Sequence, residues 1–293
     1  MKKLITLLLA LTLCLTAFSA VACGNDDKKI SVCASDVPHA QVLNGIAKDE
    51  LAKKGYTLEV KILDWTLQND SVANGDYDAN YFQHVPYLND YAGTVKLSAI
   101  CKVHYEPLGI YYGKAQKGTA VTAGKTFEIC DDVSNAIRAF QLLEAKGVIS
   151  KEVEGDNFPV NEAGDQLNIG GTATSWTSKD GTIVVTLVAE NLLVQSRNDY
   201  DFALLPCNTA YTGKISSEER ADVENDPAQV AGKANIIAAR TEDYKNNSAY
   251  KAKIDALAEV MLSKAVSDYF AEQYLGSMTC DSSTQIDLRS QIA

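Results

Sequence analysis

From residue 29 onward, apolar and polar positions switch between two periods. Lys29–Ala34 (KISVCA) alternates as a strand does, whereas Val42, Leu43, Ile46, Ala47 and Leu51 recur at helical spacing until Gly55 interrupts them. The pattern therefore predicts a strand, a helix over residues 39–54 and a second alternating strand over 58–63 (LEVKIL), the opening of a parallel sheet. The alternation continues with helices at 67–74 and 85–91 and strands at 77–81 and 97–103. Further on, a strand at 127–130 leads into a helix over 136–146 that Gly147 ends. Strands follow at 182–188, 202–205 and 235–239, and a helix pair spans 248–274. Residues 155–181 are rich in Gly, Asn, Thr and Ser and read as loop excursions. The fold class is α/β, and 293 residues are enough for two lobes with separate cores.

The first residues follow a different rule. Lys2 and Lys3 precede an apolar run over 4–18, and small residues lead to Cys23, the layout of a secretory signal. The run is shorter than the roughly 20 residues a membrane span needs. Ser19-Ala20-Val21-Ala22-Cys23 reads as a lipobox with Ala20 in place of the usual leucine. Residues 1–22 are thus expected to be a signal peptide and Cys23 the lipidated N-terminus. Residues 23–29 would be a polar tether to the cell membrane, on its extracytoplasmic face. Ordinary cleavage near Ala22, with Cys23 unmodified, is the alternative.

Charge narrows the partners. Thirty-eight acidic against 27 basic residues give a net charge of −11, a surface that repels nucleic acid and anionic headgroups. Beyond Cys14 and Cys23 there remain Cys33, Cys101, Cys130, Cys207 and Cys280, an odd number without a CxxC pair. At least one thiol is therefore free unless a partner chain supplies its mate, and neither a zinc ribbon nor a thioredoxin-like motif is supported. Small buried hydrophobes are the plain reading of these cysteines; a disulfide among them stays open.

The densest chemistry lies in DANYFQHVPYL (residues 78–88) and KVHYEPLGIYY (residues 102–112), which hold two of only three histidines beside aromatic rings. Aromatic faces next to imidazoles suit a half-apolar pocket that sandwiches a carbon chain and holds its polar end with a few donors. Two other chemistries compete. His84, His104 and Glu106 are residue types that bind zinc, but the histidines are far apart in sequence and form no i, i+4 pair. A cysteine nucleophile paired with His84 or His104 has no supporting motif, so no enzyme is expected.

These two blocks, taken in order, resemble the NlpA/MetQ family of lipoproteins, the methionine-binding components of bacterial ABC importers. The resemblance implies a two-lobed, type II periplasmic-binding-protein fold with a ligand cleft between the lobes. By that analogy, residues 30–111 plus 241–293 form lobe one and residues 112–240 form lobe two. It also implies roles. Arg138, in DDVSNAIR, matches the family's NDPTNxxR string and would clamp a ligand carboxylate with its guanidinium fork; without the resemblance its default reading is a surface arginine paired with Glu144 or a nearby acid. Asn208 (PCNTA) and Asn235 (KANIIAAR) fall in matched strings and would hold an α-amino group, although either alone would read as a turn or strand-end asparagine. Trp65, Phe82, His84 and His104 would line the side-chain pocket, with Trp65 where the family has tyrosine. His39, in VPHAQVL, would pack near the cleft rim. The expected partners are methionine, an ABC permease and a membrane reached through the lipid anchor, with no cofactor. Another apolar amino acid, a methionine-containing dipeptide or, less favoured, a metal on a surface lipoprotein are the alternatives.

Overall fold

The computed structural model describes residues 26–149, 175–177, 182–225, 232–274 and 277–292. The expected signal peptide, residues 1–22, and Cys23 lie outside the described residues. Two six-stranded sheets organise the rest. In the first, β1 (Lys29–Ala34), β2 (Thr57–Ile62), β3 (Ala79–His84), β4 (Leu97–His104), β11 (Asn235–Arg240) and β12 (Ile286–Asp287) stand in the order β12-β4-β11-β3-β1-β2. The second comprises β5 (Leu108–Tyr112), β6 (Thr126–Cys130), β7 (Ser175–Thr177), β8 (Val184–Val188), β9 (Phe202–Pro206) and β10 (Arg220–Val223), in the order β10-β5-β9-β6-β8-β7.

The two sheets repeat one plan. In each, three parallel strands (β2-β1-β3 and β8-β6-β9) adjoin one antiparallel strand that arrives from the other lobe: β11 against β3, and β5 against β9. The lobe boundaries differ from those expected. β5 belongs to the second sheet although residues 108–111 were assigned to lobe one, and β11 belongs to the first although residues 235–240 were assigned to lobe two. The chain changes lobes over residues 105–107 and again between Glu224 and Asn235. Both missed placements are runs buried on both faces, which carry no alternation to say which sheet they join.

Nine helices among the described residues cover the sheets: α1 (Lys48–Lys53), α2 (Trp65–Ala73), α3 (Val85–Asn89), α4 (Val133–Ala145), α5 (Leu193–Ser196), α6 (Cys207–Thr212), α7 (Thr241–Asn246), α8 (Ser248–Met261) and α9 (Lys264–Gln273). The helix expected over 39–54 is broken: Gly45 (φ −87°, ψ −114°) leaves the helical region, and only α1 is regular. Elsewhere capping explains the boundaries. Asp64 accepts a hydrogen bond from Thr66 N at 2.9 Å, Asp132 from Asn135 N at 3.0 Å and Asn247 from Tyr250 N at 3.1 Å. Gly147, at φ 68°, terminates α4 as its position predicted.

Each lobe has its own core. Ile30, Val32, Tyr81, Ile100 and Val103 pack beneath Leu257, Met261 and Phe270 of α8 and α9 in the first. Phe127, Ile129, Phe140, Trp176, Val185 and Phe202 fill the second. Trp176 is buried on β7, so the run expected to be loop contains a core anchor at 175–177. The five thiols are free and buried. Burial holds those of Cys33, Cys101 and Cys280 at about 12, protonated and poor nucleophiles.

Candidate ligand-binding site

Loops leaving the carboxyl ends of β1, β2 and β3 in one lobe and of β6, β8 and β9 in the other face a cavity of about 440 Å³ between them. Open α/β sheets place ligands at this end of their strands.

Lobe one supplies an aromatic wall. Trp65 opens α2, Phe82 and His84 end β3, and Tyr87 lies one turn into α3. The Tyr87 ring stands 5.1 Å from Trp65 and meets Phe82 edge-on at 5.7 Å, so it joins the other two. A buried amide cluster fixes α2 against β3. Asn69 Nδ2 donates to Gln83 Oε1 (3.0 Å), Asn80 Nδ2 to Asn69 Oδ1 (2.9 Å), and Gln83 Nε2 to Asn80 Oδ1 (2.9 Å). With every amide partnered, the carriers of Trp65 and Phe82 keep one relative position.

His84 has a structural task as well. Its Nδ1 accepts from Tyr87 N at 3.1 Å, capping α3, so Nε2 carries the proton and faces Asn135 Oδ1 of the other lobe at 3.3 Å. Burial, reinforced by the nearby Arg138 charge, lowers this imidazole to about 4. It is neutral at physiological pH.

The polar floor comes from the crossing segments and α4. Arg138, one turn into α4, is buried; its Nε donates to Glu224 Oε2 at 2.9 Å, and Nη2 donates to the same oxygen and to the Glu106 carbonyl at 2.7 Å. Glu224 also takes Lys233 Nζ on Oε1 at 3.0 Å and the Tyr105 hydroxyl on Oε2. Burial pushes this carboxyl up, but Arg138 and Lys233 outweigh it and hold Glu224 at about 2. The acid that pairs with Arg138 is therefore Glu224, not Glu144, and a ligand carboxylate reaching the guanidinium would share it with a resident one.

Glu106 brings its carboxylate to the same floor. Burial raises it to about 7, with His39 and Arg138 pulling the other way. Asn235, the first residue of β11, accepts a hydrogen bond from His39 Nε2 at 3.1 Å through its amide oxygen Oδ1. Asn208, in the first turn of α6, lines the opposite side beside Thr209, which donates to Glu190 at 2.9 Å.

Six of the seven expected contact residues line the cavity: Trp65, Phe82, His84, Arg138, Asn208 and Asn235. His104 does not. It lies behind the floor with its ring stacked on Phe270 at 4.7 Å, its Nδ1 2.5 Å from the Tyr81 hydroxyl and its Nε2 2.8 Å from Glu106 Oε1. At the end of β4 the ring points under α9, into the lobe-one core. His39 departs the other way: expected at the rim, it is buried and lines the floor. Tyr87, Gln83, Asn135, Glu106 and Glu190 are cavity residues not singled out for ligand contact. For Tyr87 the signal was present, an aromatic three residues after His84 in the same block.

Two lobes, two crossings and a ligand-sized cleft between them define a solute-binding protein of the periplasmic-binding-protein type. Residues 30–280 match the NlpA lipoprotein family, and the chain belongs to that family. It is 30% identical over 294 residues to the methionine-binding lipoprotein MetQ of Bacillus subtilis strain 168, covering 95% of this chain and 98% of that one. It is 26% identical over 210 residues to the D-methionine-binding lipoprotein MetQ of Escherichia coli K12, covering 68% and 71%. Among solved structures, the periplasmic substrate-binding protein of an ABC transporter from Coxiella burnetii superposes with a TM-score of 0.68 at 25% identity, over 86% of this chain and all of that one.

Proposed function

We propose that the protein captures methionine in this cleft and presents it to an ABC permease, tethered to the outer face of the cell membrane through lipid on Cys23. Binding, not chemical transformation, is the function. The observation that carries the reading is the division of the cavity into an aromatic wall, Trp65, Phe82 and Tyr87, and a polar floor holding the Arg138 guanidinium and the Glu106 carboxylate. That is the complement of a zwitterion on an apolar stem.

In this reading the ligand carboxylate meets Arg138 beside the N-terminus of α4, where the guanidinium and the helix dipole both favour negative charge. The ammonium meets Glu106, with Asn208 and Asn235 completing its hydrogen bonds. The thioether lies against the rings, where burial contributes about 1.5–3 kcal/mol and sulfur–aromatic contact about 0.3–1.5 kcal/mol more. Contacts from both lobes give the closed state its extra affinity, which is what drives closure.

Calorimetric titration with a series of analogues tests each element. L-Methionine binds; N-acetylmethionine, without the ammonium, and methioninol, without the carboxylate, bind at least a hundredfold more weakly; norleucine, with methylene for sulfur, loses up to about tenfold. D-Methionine compared with the L form measures the stereochemical preference. If no methionine-related compound binds, or N-acetylmethionine binds as well as methionine, the reading is wrong.

A further inference from the structure

His39, His104 and Glu106 bring one donor atom each to within 4.8 Å of one another, and all three side chains are buried. Glu106 Oε1 is 2.8 Å from His104 Nε2 and 3.7 Å from His39 Nε2. Two imidazole nitrogens and a carboxylate oxygen are the donor set of a three-ligand zinc site, with bonds of about 2.0–2.2 Å and a fourth position left open. Tetrahedral neighbours at such bond lengths stand roughly 3.3 Å apart, and the two observed separations bracket that value. The set is not the one its sequence suggested: His84 is engaged with Tyr87 and Asn135, and His39 takes its place.

The surroundings also suit a cation. The Tyr81 hydroxyl lies 2.5 Å from His104 Nδ1, so with Nδ1–H donating to that oxygen the Nε2 lone pair points at the gap, the outer-sphere support that ligating histidines use. His39 Nε2 donates to Asn235 Oδ1 at 3.1 Å, so an ion bound there would replace that hydrogen bond and move the ring proton to Nδ1, which is buried and has no hydrogen-bond partner of its own. His39, Glu106 and Asn235 line the cavity, which supplies an entry path and space for water at the fourth position. Two neutral imidazoles and one carboxylate leave a divalent ion with a single net positive charge, facing a polar, water-accessible floor.

We propose that His39, His104 and Glu106 form a binding site for a divalent transition-metal cation of the zinc class, with its open position facing the cleft. The ion would occupy the place where the proposed amino acid puts its ammonium, so the two ligands compete. Only that competition rests on the amino-acid reading.

The chain has three histidines, which makes the test direct. Zinc chloride is titrated into chelator-treated protein without amino acid while the imidazole nitrogens are followed by ¹⁵N NMR. The site requires one equivalent of zinc to shift the His39 and His104 resonances while His84 stays put, and Glu106→Gln to weaken zinc at least tenfold by calorimetry. Three unmoved imidazoles, a shift of His84 alone, or zinc affinity unchanged in a folded Glu106→Gln variant overturns it. Should that variant fail to fold, His39→Gln and the wild-type spectra decide. Methionine added to the zinc-loaded protein then reads the competition separately, since loss of competition with zinc still bound to His39 and His104 would count against the amino-acid placement alone.

Discussion

The aromatic wall of the cleft comes from one stretch of chain between Trp65 and Tyr87, whereas the polar floor gathers His39, Glu106, Arg138, Glu224 and Asn235 from segments as much as 196 residues apart. The wall is held by local means: an N-cap on each helix and a closed amide cluster between α2 and β3. Its rings meet a ligand without having to satisfy a charge. The floor carries charges that are already partnered before any ligand arrives, Arg138 by Glu224 and Glu224 by Lys233. Damage to the wall should therefore cost affinity, while damage to the floor should cost affinity and fold together.

The largest effect expected is from Arg138→Ala. It leaves Glu224 buried with one cation fewer, and breaking a buried pair from one side costs about 3–5 kcal/mol of stability. A clear fall in the thermal midpoint should accompany the loss of methionine binding; an unchanged midpoint would mean that the pair is not structurally important. Trp65→Ala is the contrasting case. Loss of the indole removes about 1.5–3 kcal/mol of burial for a bound ligand, a ten- to hundredfold weakening by calorimetry, and because the ring is half-buried and at the cleft the midpoint should barely move.

Glu128 extends the comparison into the core of lobe two. It is buried in β6 with Oε2 held by Ser196 at 2.6 Å and Oε1 without a partner, and burial raises its carboxyl to about 7. An unfolded glutamate titrates near 4.3. The stability this group contributes is thus fully present below that value and is lost as pH rises to about 7. Denaturant melts between pH 5 and 8 should show that loss, and Glu128→Gln should flatten it; identical profiles would contradict the assignment. The smallest effect belongs to His84→Ala, which removes the cap of α3 at about 1 kcal/mol, with His84→Asn restoring most of it. Below the ordinary imidazole value near 6.5, wild-type His84 should stay neutral until about pH 4, so its stabilising effect is complete above 6.5 and fades as acid is added.

Legibility in the sequence follows the same division. The wall was readable because Phe82 and Tyr87 sit in one contiguous block with a strong aromatic signature and Trp65 in a string matched to the family. Strand ends were less readable: β3 continues to His84, past the expected end at Tyr81, because its last residues alternate only weakly while facing the cleft. β5 hid inside a block read for its ligand chemistry, and β10, all half-buried, has no apolar face to announce it. Glu224 carried no local signal at all. Its importance comes from Tyr105, Arg138 and Lys233, which only the two crossings bring together. His104 shows the converse: a residue in the strongest motif whose side chain is buried and stacked on Phe270 in the lobe-one core.

Of the two tryptophans, Trp65 lines the cleft and Trp176 is buried in lobe two. In Trp176→Phe, fluorescence therefore reports from the proposed side-chain pocket alone. Titrating L-methionine into that variant should give a saturable change at one equivalent, and the same titration into Trp65→Phe should give almost none. A full signal that survives in Trp65→Phe, or no signal in Trp176→Phe under conditions where calorimetry registers binding, would place the ligand somewhere other than between the aromatic wall and Arg138.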